Sequence, residues 1–168
     1  MRYLVLGFCV VAAACGDTHF KSSTAPSGTI SGAASTDATG GSELPFSGTL
    51  QASETVVEGG VHHLSGTGEA THLGRFTLVS EFTVIPPPVS TASGTATWIA
   101  ANGDRIFTTV TGQAVITFPT GAIVETHTIT AGTGRFADAS GTLVVRRSLN
   151  LLTLISSGSI AGTIDLRH

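Results

Sequence analysis

From Leu44 onward the chain alternates apolar and polar side chains with period two, and nowhere holds helical spacing over ten residues. Successive side chains on a strand point to opposite faces, so this pattern restricts residues 44–168 to half-buried β-strands. Residues 74–85 show it best. Phe76, Leu78, Phe82 and Val84 share one face, while Arg75, Thr77, Glu81 and Thr83 share the other. Pro86-Pro87-Pro88 ends the run, because residues without an N–H cannot continue a ladder.

Turn signals divide the remainder. Gly59-Gly60 separates runs at 46–57 and 61–71. Asn102-Gly103 joins 94–101 to 104–118, and residues of this type between alternating runs predict a hairpin with a type I′ turn. Ala96, Trp98 and Ala100 then share a side with Ile106, Thr108, Val110, Ala114 and Ile116. Pro119-Thr120-Gly121 leads into 122–130. After Gly132-Thr133-Gly134 come 141–149, with Leu143, Val145 and Leu149 on one face, and 157–166, with Ile160, Ile164 and Leu166. The stretch 66–76 echoes 132–136, sharing Gly-Thr-Gly and then Gly-Arg-Phe, and both read as junctions between strands.

Eight strands with short turns and no crossover helices predict an all-β fold, an antiparallel up-and-down barrel whose closure removes exposed edges. A β-sandwich is the alternative. Many inward positions are Gly, Ala or Thr, so the lumen is expected to hold room for one small apolar ligand.

The amino terminus belongs to a different class. Met1-Arg2 supplies one charge, residues 3–11 form a mostly apolar run, and Ala12-Ala13-Ala14-Cys15 follows. The run is shorter than the roughly 20 residues of a membrane-spanning helix, and residues 1–14 read as a signal peptide. Small residues ending in cysteine resemble the bacterial lipoprotein signal, with Ala12 in place of the commoner leucine. That resemblance implies cleavage before Cys15, lipidation of Cys15 and anchoring in the cell envelope. Gly16 stands where lipoproteins held at the inner membrane often carry aspartate, so outer-membrane delivery is implied. The alternative is cleavage near Ala14 and a secreted or periplasmic protein. Residues 15–43, rich in Ser, Thr, Gly and Ala, are expected to form a flexible tether, because they bury too little surface to offset ordering entropy.

Both cysteines, Cys9 and Cys15, lie in this leader, which leaves the barrel domain no disulfide or thiolate chemistry. Loss of residues 1–14 removes Arg2 and leaves seven basic against eleven acidic groups, a net charge of −4. Such a chain lacks the basic patch that nucleic acid requires.

Gly132-Thr133-Gly134-Arg135-Phe136-Ala137-Asp138-Ala139-Ser140-Gly141 resembles the late turn of the allene oxide cyclase and dirigent barrel superfamily, where Gly-Thr-Gly-x-Phe-x-x-Ala-x-Gly joins barrel strands. Residues 157–163 resemble its closing strand, and 94–97 with 101–104 resemble bacterial members. The likeness spans about 60–166. It implies a calycin-like eight-stranded barrel, often oligomeric. The acidic, tyrosine and arginine residues of dirigent catalysis have no counterparts that align here, and the one tyrosine is Tyr3, so activity does not follow from the shared fold.

The candidate site residues follow from strand parity. Glu125 and His127 share a face with Ile123 and Ile129; if that face is inward they form an acid–base pair with shifted pKa values. If Val124 faces inward instead, Glu125 is solvated. Phe82 and Trp98 are core residues or, in the lumen, contacts for an apolar ligand. His62, His63, His72 and His127 with Glu69 and Glu125 lack zinc-ligand spacing, and adjacent His62 and His63 point to opposite faces, so the histidines read as solvated and no metal is expected. Gly132-Thr133-Gly134 has no following helix to hold a nucleotide phosphate, and no Gly-x-Ser-x-Gly elbow is present. No cofactor is implied. The sequence therefore points to a non-enzymatic envelope barrel that binds a small apolar ligand or acts as a structural or interaction module. An isomerase or cyclase acting on a lipid-like or phenolic substrate is the rival.

Overall fold

The structure is a computed structural model and describes residues 43–86 and 90–167. The signal peptide, Cys15 and the tether up to residue 42 lie outside the described residues, as do Pro87 and Pro88.

Eight antiparallel strands follow one another in sequence order. They are β1 (Glu43–Val56), β2 (Val61–Ala70), β3 (Gly74–Ile85), β4 (Ser90–Ala100), β5 (Arg105–Thr117), β6 (Thr120–Gly132), β7 (Ser140–Asn150) and β8 (Ile155–Asp165). Each pairs with its neighbour, and β8 pairs back onto β1, so the sheet is a closed up-and-down barrel. The sandwich alternative is thereby excluded. One-residue alternation is clearest in β3, which buries Phe76, Leu78, Ser80 and Phe82 and exposes the residues between them. It breaks in β6, where the register shifts opposite Phe107 and Thr108, and Thr130 and Ala131 are both exposed.

The outer wall carries exposed Thr77, Thr95, Thr109, Thr128 and Thr142. Apolar inside and mostly polar outside is the reverse of the pattern of a membrane-spanning barrel.

The two ends differ. At the end where β1 begins, Leu73 in the β2–β3 turn and Phe136 in a 3₁₀ turn (Gly134–Phe136) are buried and plug the interior. Beneath them Phe46, Phe76, Trp98, Ile106, Leu143, Ile160 and Ile164 fill the barrel. Gly132 is required there, since a Cβ at that position would stand 2.8 Å from Cβ of Phe136. Toward the opposite end, bounded by the β1–β2, β3–β4, β5–β6 and β7–β8 connections, the described residues leave the interior open.

Several local readings are corrected. Among Ala101, Asn102 and Gly103, only Gly103 takes positive φ (+90°), and Gly103 N–H donates to the Ala100 carbonyl at 2.9 Å. The hairpin therefore lacks the two positive φ values of a type I′ turn and fits a turn closed by a glycine bulge. Asn102 braces it, its Nδ2 donating to Asp104 Oδ2 at 2.7 Å. Gly66 and Gly68 lie within β2, not at a junction; the turn is at 71–73. There the missing side chain admits a neighbour, as a Cβ on Gly68 would stand 2.6 Å from Phe76 Cζ. β4 starts at Ser90, four residues before the expected 94, because Thr91 and Ser93 continue the ladder without an apolar alternation to reveal it.

Candidate functional site

Three charged side chains meet inside the barrel near the open end. Glu54 follows Leu50 and Ala52 on the inward face of β1, Glu125 lies between Ile123 and His127 on β6, and Arg147 lies between Val145 and Leu149 on β7. All three are buried. Arg147 Nε and Nη2 donate to the two oxygens of Glu125 at 2.9 and 2.7 Å, a bidentate clamp. Its Nη1 donates to Glu54 Oε1 and, at 3.3 Å, to Ser156 Oγ. Two absent side chains make room. Gly158, opposite Arg147 on β8, would place a Cβ 2.7 Å from Arg147 Cα, and Gly112 would place one 3.0 Å from Glu125 Cγ.

Burial by itself would lower the Arg147 pKa; hydrogen bonding to Glu125 and the charges of Glu125 and Glu54 overcome it and raise the guanidinium above its ordinary value. Arg147 is therefore a fixed cation.

His62 joins this group from β2. Its Nδ1–H donates to Glu54 Oε2 at 3.1 Å, and its ring stacks on Phe82 with centroids 5.3 Å apart and 22° between planes. Contrary to the solvated reading, His62 is half-buried and His127 fully buried. His63 faces outward beside Glu81, and His72 donates from Nε2 to the Pro45 carbonyl at 3.1 Å in the β2–β3 turn. Among the described residues no cluster of His, Cys, Asp or Glu could hold a metal ion.

Above the charged group a cavity of about 120 Å³ opens toward the end of the barrel. Its walls include Phe82, Val84, Ile116, Ile123 and Leu149, and Glu54, His62, Glu125 and Arg147 form its floor. The rim is apolar too. Among the described residues, eight of the ten exposed large hydrophobic side chains lie at this end, among them Val56, Ile85, Val115, Phe118, Leu152 and Ile155.

The four candidate lumen residues thus separate. Phe82 and Glu125 line the cavity. Trp98 and His127 lie deeper in the packed interior, ring to ring at 5.1 Å and 72°. Glu125 does face inward, but it is bonded to Arg147 and not to His127. His127 Nδ1 pairs with Thr108 Oγ1 at 3.2 Å, and that hydroxyl reaches the Ala96 carbonyl at 3.4 Å. Burial pushes the His127 pKa down to about 4, with the Glu125 charge opposing and the Arg147 charge assisting. It is a neutral core histidine at pH 7. Glu54, Arg147 and Ser156 escaped the sequence reading although their parity matched their apolar neighbours.

The chain matches no family model, no curated protein and no solved structure.

Proposed function

We propose that the protein is a non-enzymatic envelope lipoprotein, anchored through Cys15, whose barrel binds a small apolar ligand at its open end. The carrying observation is the apolar-walled cavity of about 120 Å³ beneath an apolar rim. Dry apolar cavities of about 150 Å³ take up benzene, so the space suits a ligand of that size or the end of a longer one. A fold of eight antiparallel strands in sequence order is compatible with the resemblance to allene oxide cyclase and dirigent barrels, which stays part of the proposal.

Benzene titration followed by calorimetry tests the cavity. Binding is expected for the unaltered protein and not for Ala92→Phe, which fills the space; equal binding by both contradicts the reading. For the anchor, Cys15→Ser is expected to move the protein from the membrane fraction to the soluble fraction.

A second reading, a proton-transferring isomerase or cyclase, is favoured by the Glu54–His62 pair. A carboxylate that accepts from Nδ1–H orients an imidazole so that Nε2 can act as a general base. Deuterium exchange into acetophenone, lost in His62→Gln, would support it; no exchange above buffer supports the non-enzymatic protein.

A further inference from the structure

We propose that the ligand of the open end is a small ammonium compound, a protonated amine on an apolar body of about benzene's size; this rests on the apolar-ligand reading above. The cavity floor holds two carboxylates, Glu54 and Glu125, and one guanidinium, Arg147, with side chains 2 %, 6 % and 1 % exposed. Among the described residues that meet here one negative charge is left over from the two carboxylates and the guanidinium, and His62 supplies a donor to Glu54. An unbalanced charge under apolar walls is costly, and a cation that enters the cavity relieves it.

The donors and acceptors point the same way. Arg147 has five N–H groups. Its Nε and Nη2 serve Glu125, and its Nη1 serves Glu54 and Ser156, so no two-pronged fork remains for an incoming carboxylate or phosphate. The two carboxylates, by contrast, carry about four lone-pair sites each; Glu54 receives Arg147 and His62, and Glu125 receives two N–H groups of Arg147. Their remaining sites accept hydrogen bonds and donate none. Phe82, stacked on His62, adds an aromatic wall beside them, and aromatic rings attract ammonium groups. Ile116, Ile123 and Leu149 take the apolar body.

Calorimetric titration of the full chain at pH 7 with benzylamine, benzyl alcohol and benzoate decides the matter, because the three share a ring and differ in charge. Benzylamine is expected to bind at least tenfold more tightly than benzyl alcohol, with benzoate weakest. In Glu125→Gln, which keeps the shape and removes the surplus charge, benzylamine should fall to within about twofold of the alcohol. Equal affinities, or benzoate the tightest, overturn the ammonium assignment and leave the apolar-ligand reading standing. No binding by any of the three overturns both. The comparison on the unaltered protein holds whether or not the variant folds.

Discussion

Arg147 and Glu54, 93 residues apart in sequence, are joined by a hydrogen bond from Nη1 to Oε1 inside the barrel. The same guanidinium holds Glu125 with two further bonds, so one cation bridges β1, β6 and β7. β1 and β7 share no backbone ladder, and charge ties them here.

The first prediction concerns that cation. Arg147→Met leaves two buried carboxylates without their partner, and breaking a buried ionic group costs about 3–5 kcal/mol. The triple variant Glu54→Gln, Arg147→Met, Glu125→Gln removes all three charges together and should lose less than the single change. Denaturant unfolding of both variants checks this. An Arg147→Met protein as stable as the parent would show that the network contributes nothing.

His127 gives a pH dependence. Its pKa falls from 6.5 when unfolded to about 4 when folded. Between those values the unfolded chain holds the proton and the folded chain does not. Stability is therefore full above pH 6.5 and declines as pH falls toward 4, by about 3 kcal/mol. His127→Gln should flatten the curve in that window when unfolding is measured at pH 7, 6, 5 and 4. An unchanged slope would contradict the assignment.

Much of the architecture was legible in local pattern. The alternation of Phe76, Leu78, Phe82 and Val84 shows a strand with one wet face whatever it pairs with, and Pro86 ends it without reference to any partner. Inward parity was equally visible at Glu54, two residues beyond Ala52, and at Arg147, two beyond Val145. Their roles were not legible, because a charge on an inward face is tolerable only if another strand brings its counter-ion to the same depth. That depth is set by register around the closed sheet, where Gly158 meets Arg147 and Gly112 meets Glu125. The same limit explains the histidines: nothing near His127 in sequence shows that Trp98 covers it.

Gly158→Ala tests that depth directly. The added methyl would meet Arg147 Cα at 2.7 Å, and backbone cannot rotate aside as a side chain can. Overpacking of this kind costs about 1–3 kcal/mol. A thermal unfolding midpoint several degrees below the parent is expected, whereas an unchanged midpoint would mean that β7 and β8 lie farther apart.

The most direct test of the binding account is a methyl NMR spectrum recorded while benzylamine is added. The account predicts shifts confined to the open end, at Val84, Ile116, Ile123 and Leu149, with Ile106, Leu143 and Ile160 unmoved in the packed half. Shifts centred on those three deep residues, or none anywhere, would contradict it.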